Sequence, residues 1–202
     1  MPRTRTFDLD TAVDRAMDLF WEHGYEATSL QDLKSALGLG GGSFYAAFTS
    51  KDALYQAALQ RYRDTMASAL LQDLQGDSDF AGTVRQAFLG RLRAAASDPL
   101  RRGCLLVNAV GERLPRDTAT CDVVRQVQDA NRQALAALIA AAQSRGELPG
   151  DQDPDDSARF LLVCLNGLLA AAKTDPDLPA LTRVLDIALH ALQPATDQEP
   201  TR

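Results

Sequence analysis

Apolar residues along this chain recur at intervals of three and four, and no run alternates as a strand would. Val13, Ala16, Met17 and Phe20 fall on one face of a first helix expected from Asp8 to His23. Asp10, Asp14, Asp18 and Glu22, spaced four apart, mark the opposite face, which reads as a solvated surface turned away from any polyanion. Leu30, Leu33 and Leu37 give the buried face of a second helix, opened by Thr28 as N-cap with Gln31 three residues later. Gly38 stops it. Phe44 and Phe48, four apart, share the buried side of a short third helix from Gly41 to Ala47, which leaves Ser43, Tyr45 and Ala46 facing outward. Thr49 and Asp52, in capping-box spacing, then open a fourth helix that runs to Asp73.

Beyond a break at Gly76-Asp77-Ser78-Asp79, Phe80, Val84, Ala87, Phe88 and Leu92 define the next helix, ended by Asp98-Pro99. A short apolar helix follows from Gly103 to Glu112. Pro115 separates it from a long one, Thr118 to Arg145, with Val124, Val127, Asn131, Leu135, Leu138 and Ala142 on one face. The run after Asp153-Pro154 is apolar almost all round, and the run after Asp175-Pro176 carries a cleaner stripe. Two such helices at the end of a small domain have more apolar surface than one core covers. Leu161, Leu165, Leu168, Leu181, Val184, Leu185 and Leu189 are therefore the expected homodimer interface; the alternative is that both helices are intramolecular core. The fold class expected is all-α. Residues 1–50 form a three-helix head, 51–73 link it to a helical body over 74–193, and 194–202 form a disordered tail.

Charge and composition narrow the function classes. A net charge of −6 argues against a protein that coats nucleic acid indiscriminately. Up to Arg63, seven basic residues stand against eight acidic ones, so the placement of charge has to carry any nucleic-acid argument. Three cysteines, Cys104, Cys121 and Cys164, are odd in number and too widely spaced for a zinc site or disulfide framework, which fits a reducing cytoplasm. No uninterrupted apolar run of about eighteen residues stands out, and MPRTRTFDLD turns acidic where a signal peptide becomes hydrophobic; no membrane partner is expected. Enzyme chemistry has little to stand on, with two distant histidines, His23 and His190, and no nucleophile beside a base. GLGGGS lacks the preceding strand that a dinucleotide loop requires. No cofactor is implied.

A helix, a glycine turn and a second helix with a projecting tyrosine make a helix-turn-helix, whose second helix can enter the major groove of DNA. Arg3 and Arg5, ahead of the first helix, read either as minor-groove or phosphate contacts or as solvated terminal charges. The hydroxyls of Thr28 and Ser29 suit a phosphate at the start of the second helix. Lys51 sits at a helix N-terminus, where a cation is unfavourable, and a phosphate is its natural partner. With LGLGGGSFYAAFTSKDALY, Leu37 to Tyr55, at its centre, the first part of the chain resembles the DNA-binding domain of the TetR family of bacterial transcriptional regulators.

The resemblance implies a DNA-contacting set of Arg3, Arg5, Thr28, Ser29, Gly41, Gly42, Ser43, Tyr45, Ala46 and Lys51. It also implies that the last two helices pair with their symmetry mates and set two recognition helices about 34–36 Å apart on a double-stranded operator. A small, apolar effector would then release a repressor by binding the body, with Phe88, Leu92, Leu106, Asn108, Asn131, Leu135 and Asn166 as candidate lining. Cys104, beside Arg101 and Arg102 in sequence, adds the reading of a thiol that senses electrophiles or oxidants. Gly40 and Gly41 depart from the family pattern, which often has Ser or Thr and then a polar or basic residue. Few bidentate donors remain for base edges, and two glycines in its first turn predict a third helix that is loose until it meets DNA. A helical adaptor that has lost DNA binding is the other class of function open at this point.

Overall fold

A computed structural model of the chain describes residues 8–75 and 79–193, and every regular element among them is helical. Arg3, Arg5 and the expected tail at 194–202 lie outside the described residues. The helices are α1 (Leu9–His23), α2 (Leu30–Leu37), α3 (Gly41–Phe48), α4 (Lys51–Tyr62), α5 (Ser68–Asp73), α6 (Phe80–Ser97), α7 (Leu105–Arg113), α8 (Thr118–Ser144), α9 (Pro154–Thr174) and α10 (Leu178–His190). Between α4 and α5 the backbone passes through a π-helical turn, Arg63–Ala67. Two compact units result. The first joins the chain up to Ser68 with Arg102–Val127, and the second joins Ala69–Arg101 with the chain from Gln128 on.

The first unit is larger than a three-helix head. Leu54, Tyr55, Ala58 and Leu59 of α4 are buried together with Phe20 of α1, Phe44 of α3, Leu105 and Ala109 of α7, and Val123 and Val124 of α8. Since α7 and the start of α8 bury their apolar faces here, the unit boundary falls beyond the one expected at residue 50. Rings of Phe20, Tyr25 and Tyr55 pack edge to face or stacked, with centroids 4.9–6.1 Å apart.

Two local expectations are corrected. The N-cap of α2 is Ser29, whose capping box is closed by Asp32, because Thr28 is turned inward and gives its hydroxyl to the Gly24 carbonyl at 2.6 Å. The N-cap of α4 is Ser50, which accepts from the Ala53 amide at 3.0 Å; Thr49 instead ends α3 with φ of 59°. The acidic face of α1 is solvent-exposed, as the spacing predicts, and within it Asp10 and Asp14 pair with Arg61 of α4 and Asp18 with Arg102 at 3.1 Å.

In the second unit α6, α9 and α10 pack on one another. Phe88, Leu92, Leu161 and Leu185 are each 0% exposed, and Arg85 grips Asp186 through two nitrogens at 2.7 and 3.3 Å. Asp153 caps α9 by accepting from the amides of Asp155 and Asp156, with Pro154 in the first turn. Helix α9 has the length and composition of a membrane span, contrary to the expectation from the sequence, but its Leu161, Leu165, Leu168 and Leu169 are packed inside the unit. Six of the seven expected interface residues, Leu161, Leu165, Leu168, Leu181, Leu185 and Leu189, are buried by the chain itself. Only Val184 of that set is exposed. The same two helices present a different face, with Phe160, Val163, Val184 and Ile187 at 40–70% exposure. An open groove of about 400 Å³ reaches Val184 and is lined also by Cys164, Gly167, Ala171 and Leu181. Burial pushes the Cys164 thiol above its usual pKa.

Candidate DNA-binding surface

Helix α2 ends because Gly38 takes the left-handed conformation, φ 67°, in which a glycine has no side chain to clash. Its amide and that of Leu39 return to the carbonyls of Ser35 and Lys34. The chain then restarts at Gly40, the N-cap of α3, which has no side chain to hold an amide. Phe44, 0% exposed, and Phe48, 8% exposed, anchor α3 in the core. Burying side chains of this size contributes about 2–3 kcal/mol each, enough to fix which face of a two-turn helix looks out. Gly41, Gly42, Ser43, Tyr45 and Ala46 are exposed, as the spacing predicts. The Tyr45 ring, 55% exposed, leans edge-on against Phe44 with centroids 5.6 Å apart and carries its hydroxyl outward from the anchored face.

Of the two hydroxyls expected at the start of α2, Ser29 is exposed and Thr28 is not. Thr28 is 1% exposed and its hydroxyl is already donated inward. Asp32 occupies the helix N-terminus: its carboxylate accepts from the Ser29 amide at 2.8 Å and hydroxyl at 2.6 Å, which holds it below the usual carboxylate pKa. An arriving phosphate would meet that negative charge first. Lys51, half-buried at the start of α4, places its ammonium 4.0 Å from the Tyr25 ring centroid.

Tyr25 is the centre of a cluster that the sequence did not announce. Its hydroxyl donates to Asp52 at 2.6 Å, and the Arg113 guanidinium lies 3.8 Å from its ring centroid. Burial, reinforced by the bond to Asp52, pushes the Tyr25 phenol up to about 12. Glu112 takes the amides of Tyr25 and Glu26, one on each carboxylate oxygen, at 2.9 and 2.8 Å. Gly24 makes room for it; a Cβ there would stand 2.9 Å from the carboxylate. Arg113 also reaches Glu26 and Asp52, each at 3.2 Å, and Asp117 at 2.9 Å. Burial raises the Asp117 carboxyl, but bonds from Thr120 and Arg113 outweigh it and leave the pKa low. About ninety residues of chain separate Tyr25 from Glu112, so no spacing rule reaches across it.

The candidate effector-binding residues divide between the two units. Cys104, Leu106 and Asn108 belong to the first. Leu106 joins the α1–α4 core, Asn108 donates to the Arg102 carbonyl at 2.9 Å, and the Cys104 sulfur accepts from the Tyr62 hydroxyl at 3.5 Å. Arg102, expected to favour a thiolate there, stacks 4.3 Å from the Trp21 ring and pairs with Asp18. Phe88, Leu92, Asn131, Leu135 and Asn166 belong to the second unit. The buried Asn131 Oδ1, one turn from Leu135 on α8, has no hydrogen-bond partner among the described residues.

Residues 12–58 match the family model of bacterial regulatory proteins, tetR family, and residues 82–188 that of the tetracyclin repressor-like C-terminal domain. Over 189 residues, 93% of this chain and 90% of the relative, it is 30% identical to the HTH-type transcriptional repressor ComR of Escherichia coli. It is 26% identical to the transcriptional repressor DhaR of a Mycobacterium species, covering 92% of each chain. Among solved structures, a cysteine mutant of the TetR family transcriptional regulator CifR, complexed with 26bp double-strand operator DNA, superposes with a TM-score of 0.82 at 32% identity, covering 94% of this chain and 99% of that one. A TetR transcriptional regulator from Chloroflexus aurantiacus superposes at 0.81 with 26% identity, covering 92% and 94%.

Proposed function

Because the chain belongs to the TetR family of bacterial transcriptional regulators, we propose that it is a cytoplasmic homodimeric repressor that binds a palindromic operator through α3 and leaves it when a small molecule binds the second unit. The observation that carries the reading is α3 itself: two buried phenylalanines turn Gly41, Gly42, Ser43, Tyr45 and Ala46 outward together. Tyr45 supplies a hydroxyl and an apolar ring edge at once, Ser43 a second hydroxyl, and Ala46 a methyl for thymine contact. The two glycines let backbone approach closely. With so few base-reading groups, preference for one sequence leans on DNA shape as well as direct contacts. Lys51, at the start of the next helix, supplies the phosphate contact.

Dimerisation follows from the exposed stripe of Phe160, Val163, Val184 and Ile187, which a second copy of α9 and α10 would cover. Release needs an effector whose affinity differs between the DNA-competent and incompetent states. The unpartnered Asn131 oxygen favours one that offers a hydrogen-bond donor on an otherwise apolar body.

The test uses a duplex selected by the wild-type protein from a randomised library. Tyr45→Ala is expected to weaken binding to it about tenfold, the loss of one good base contact, while sedimentation still shows a dimer. Undiminished affinity would remove α3 as the reading element.

A further inference from the structure

Glu112 and Arg113 end α7, and neither belongs to the helix-turn-helix, yet together they touch both ends of it. The Glu112 carboxylate holds the two backbone amides that lead from α1 into α2, those of Tyr25 and Glu26. Arg113 lies over the ring of the same Tyr25 and reaches Asp52 in the first turn of α4. Lys51, the neighbour of Asp52, rests on that ring as well. The turn before α2 and the start of α4 therefore share one holder, and α3 lies between them in the chain.

We propose that Glu112 and Arg113 are positioning residues for operator binding, fixing the α1–α2 turn and the start of α4 so that Lys51 meets a phosphate while α3 lies in the groove. The proposal rests on the DNA surface described above. Its physical basis is geometric. A carboxylate that accepts two successive amides through separate oxygens defines the direction of the turn as well as its place. Glu112 is exposed, so the fold does not depend on burying it. Two cations share the Tyr25 ring, and among the described residues only the arginine has ion pairs within 4.0 Å to hold it there. Lys51 can exchange the weak ring contact for a phosphate oxygen, whereas Arg113, tied to Glu26, Asp52 and Asp117, stays and keeps the ring in position.

Affinity for the selected duplex, measured across a salt series, separates positioning from plain stability. Each phosphate contact contributes about 0.9 to the slope of log K against log salt. Lys51→Ala should lower that slope by about two across a dimer. Glu112→Gln keeps one carbonyl oxygen for one of the two amides. It is expected to bind about tenfold more weakly, with the slope reduced towards that of Lys51→Ala, full folding at the assay temperature despite a small drop in Tm, and little further loss when the two substitutions are combined. Arg113→Met should act in the same direction. Full affinity in Glu112→Gln, or a loss that only tracks a lower Tm with the slope intact, overturns the proposal while the DNA surface stands. If Lys51→Ala leaves the slope unchanged, the phosphate contact is wrong and the proposal fails with it.

Discussion

At the scale of single residues, the polar cluster around Tyr25 makes the first unit sensitive to acid. The Asp117 carboxylate is held below its ordinary pKa by Thr120 and Arg113 despite its burial. A carboxyl depressed in the folded state contributes stability above its unfolded pKa, about 3.9, and that contribution is lost as pH falls through the lower folded value. Asp117→Asn should thus lower the Tm at neutral pH by about 3–6 °C, from about 1–2 kcal/mol of charge-assisted bonding. Melting curves should show the two proteins converging as pH falls through the depressed folded value; a gap that persists in acid would place the effect elsewhere. None of this was legible in the sequence. Asp117, Glu112 and Arg113 sit in an unremarkable polar stretch, and their significance comes from a turn about ninety positions earlier. The same limit explains the caps: Thr28 and Ser29 are both sound N-cap residues, and only the carbonyl of Gly24, one turn back, decides which hydroxyl turns inward.

Elements were far more readable than residues. Helical spacing placed the buried faces of α1, α2 and α3 because each is a short helix with one face on a core, the case in which periodicity reports burial directly. Spacing could not show the π-helical turn after Tyr62, since the apolar residues on either side of it still recur at helical intervals. For α3, the glycine cost can be measured. A Cβ at Gly42 meets nothing within 4 Å, and the position carries no positive φ. Gly42→Ala is therefore expected to stabilise α3 by about 1 kcal/mol. Amide exchange at Phe44 to Ala47 should slow about fivefold, the same free energy seen through local opening; unaltered exchange would mean that Gly42 does not weaken α3.

For the whole molecule, the sequence revealed that the last two helices are too apolar to be ordinary surface helices, but six of the seven residues it offered for an interface are covered by the chain itself. The leucine-rich side is the larger apolar stripe, and α6 packing on α9 and α10 covers it; Val163 and Ile187, 70% and 69% exposed, lie on what is left. Val163→Glu with Ile187→Glu should give a monomer with an unchanged helical circular dichroism spectrum and about a hundredfold weaker operator binding, since each half-site is then held alone. A dimer that survives both charges in sedimentation would exclude this face. A last consequence concerns light. Trp21 is the only tryptophan in the chain. Its indole donates to the Gly103 carbonyl at 3.1 Å, lies under the Arg102 guanidinium and packs edge-on against Tyr62 at 5.0 Å. Tryptophan fluorescence of this protein, excited beyond the tyrosine band, therefore comes from one spot, where α1, α4 and the stretch of chain entering α7 meet. Any ligand that disturbs that junction can be titrated by colour and intensity, without attaching a label.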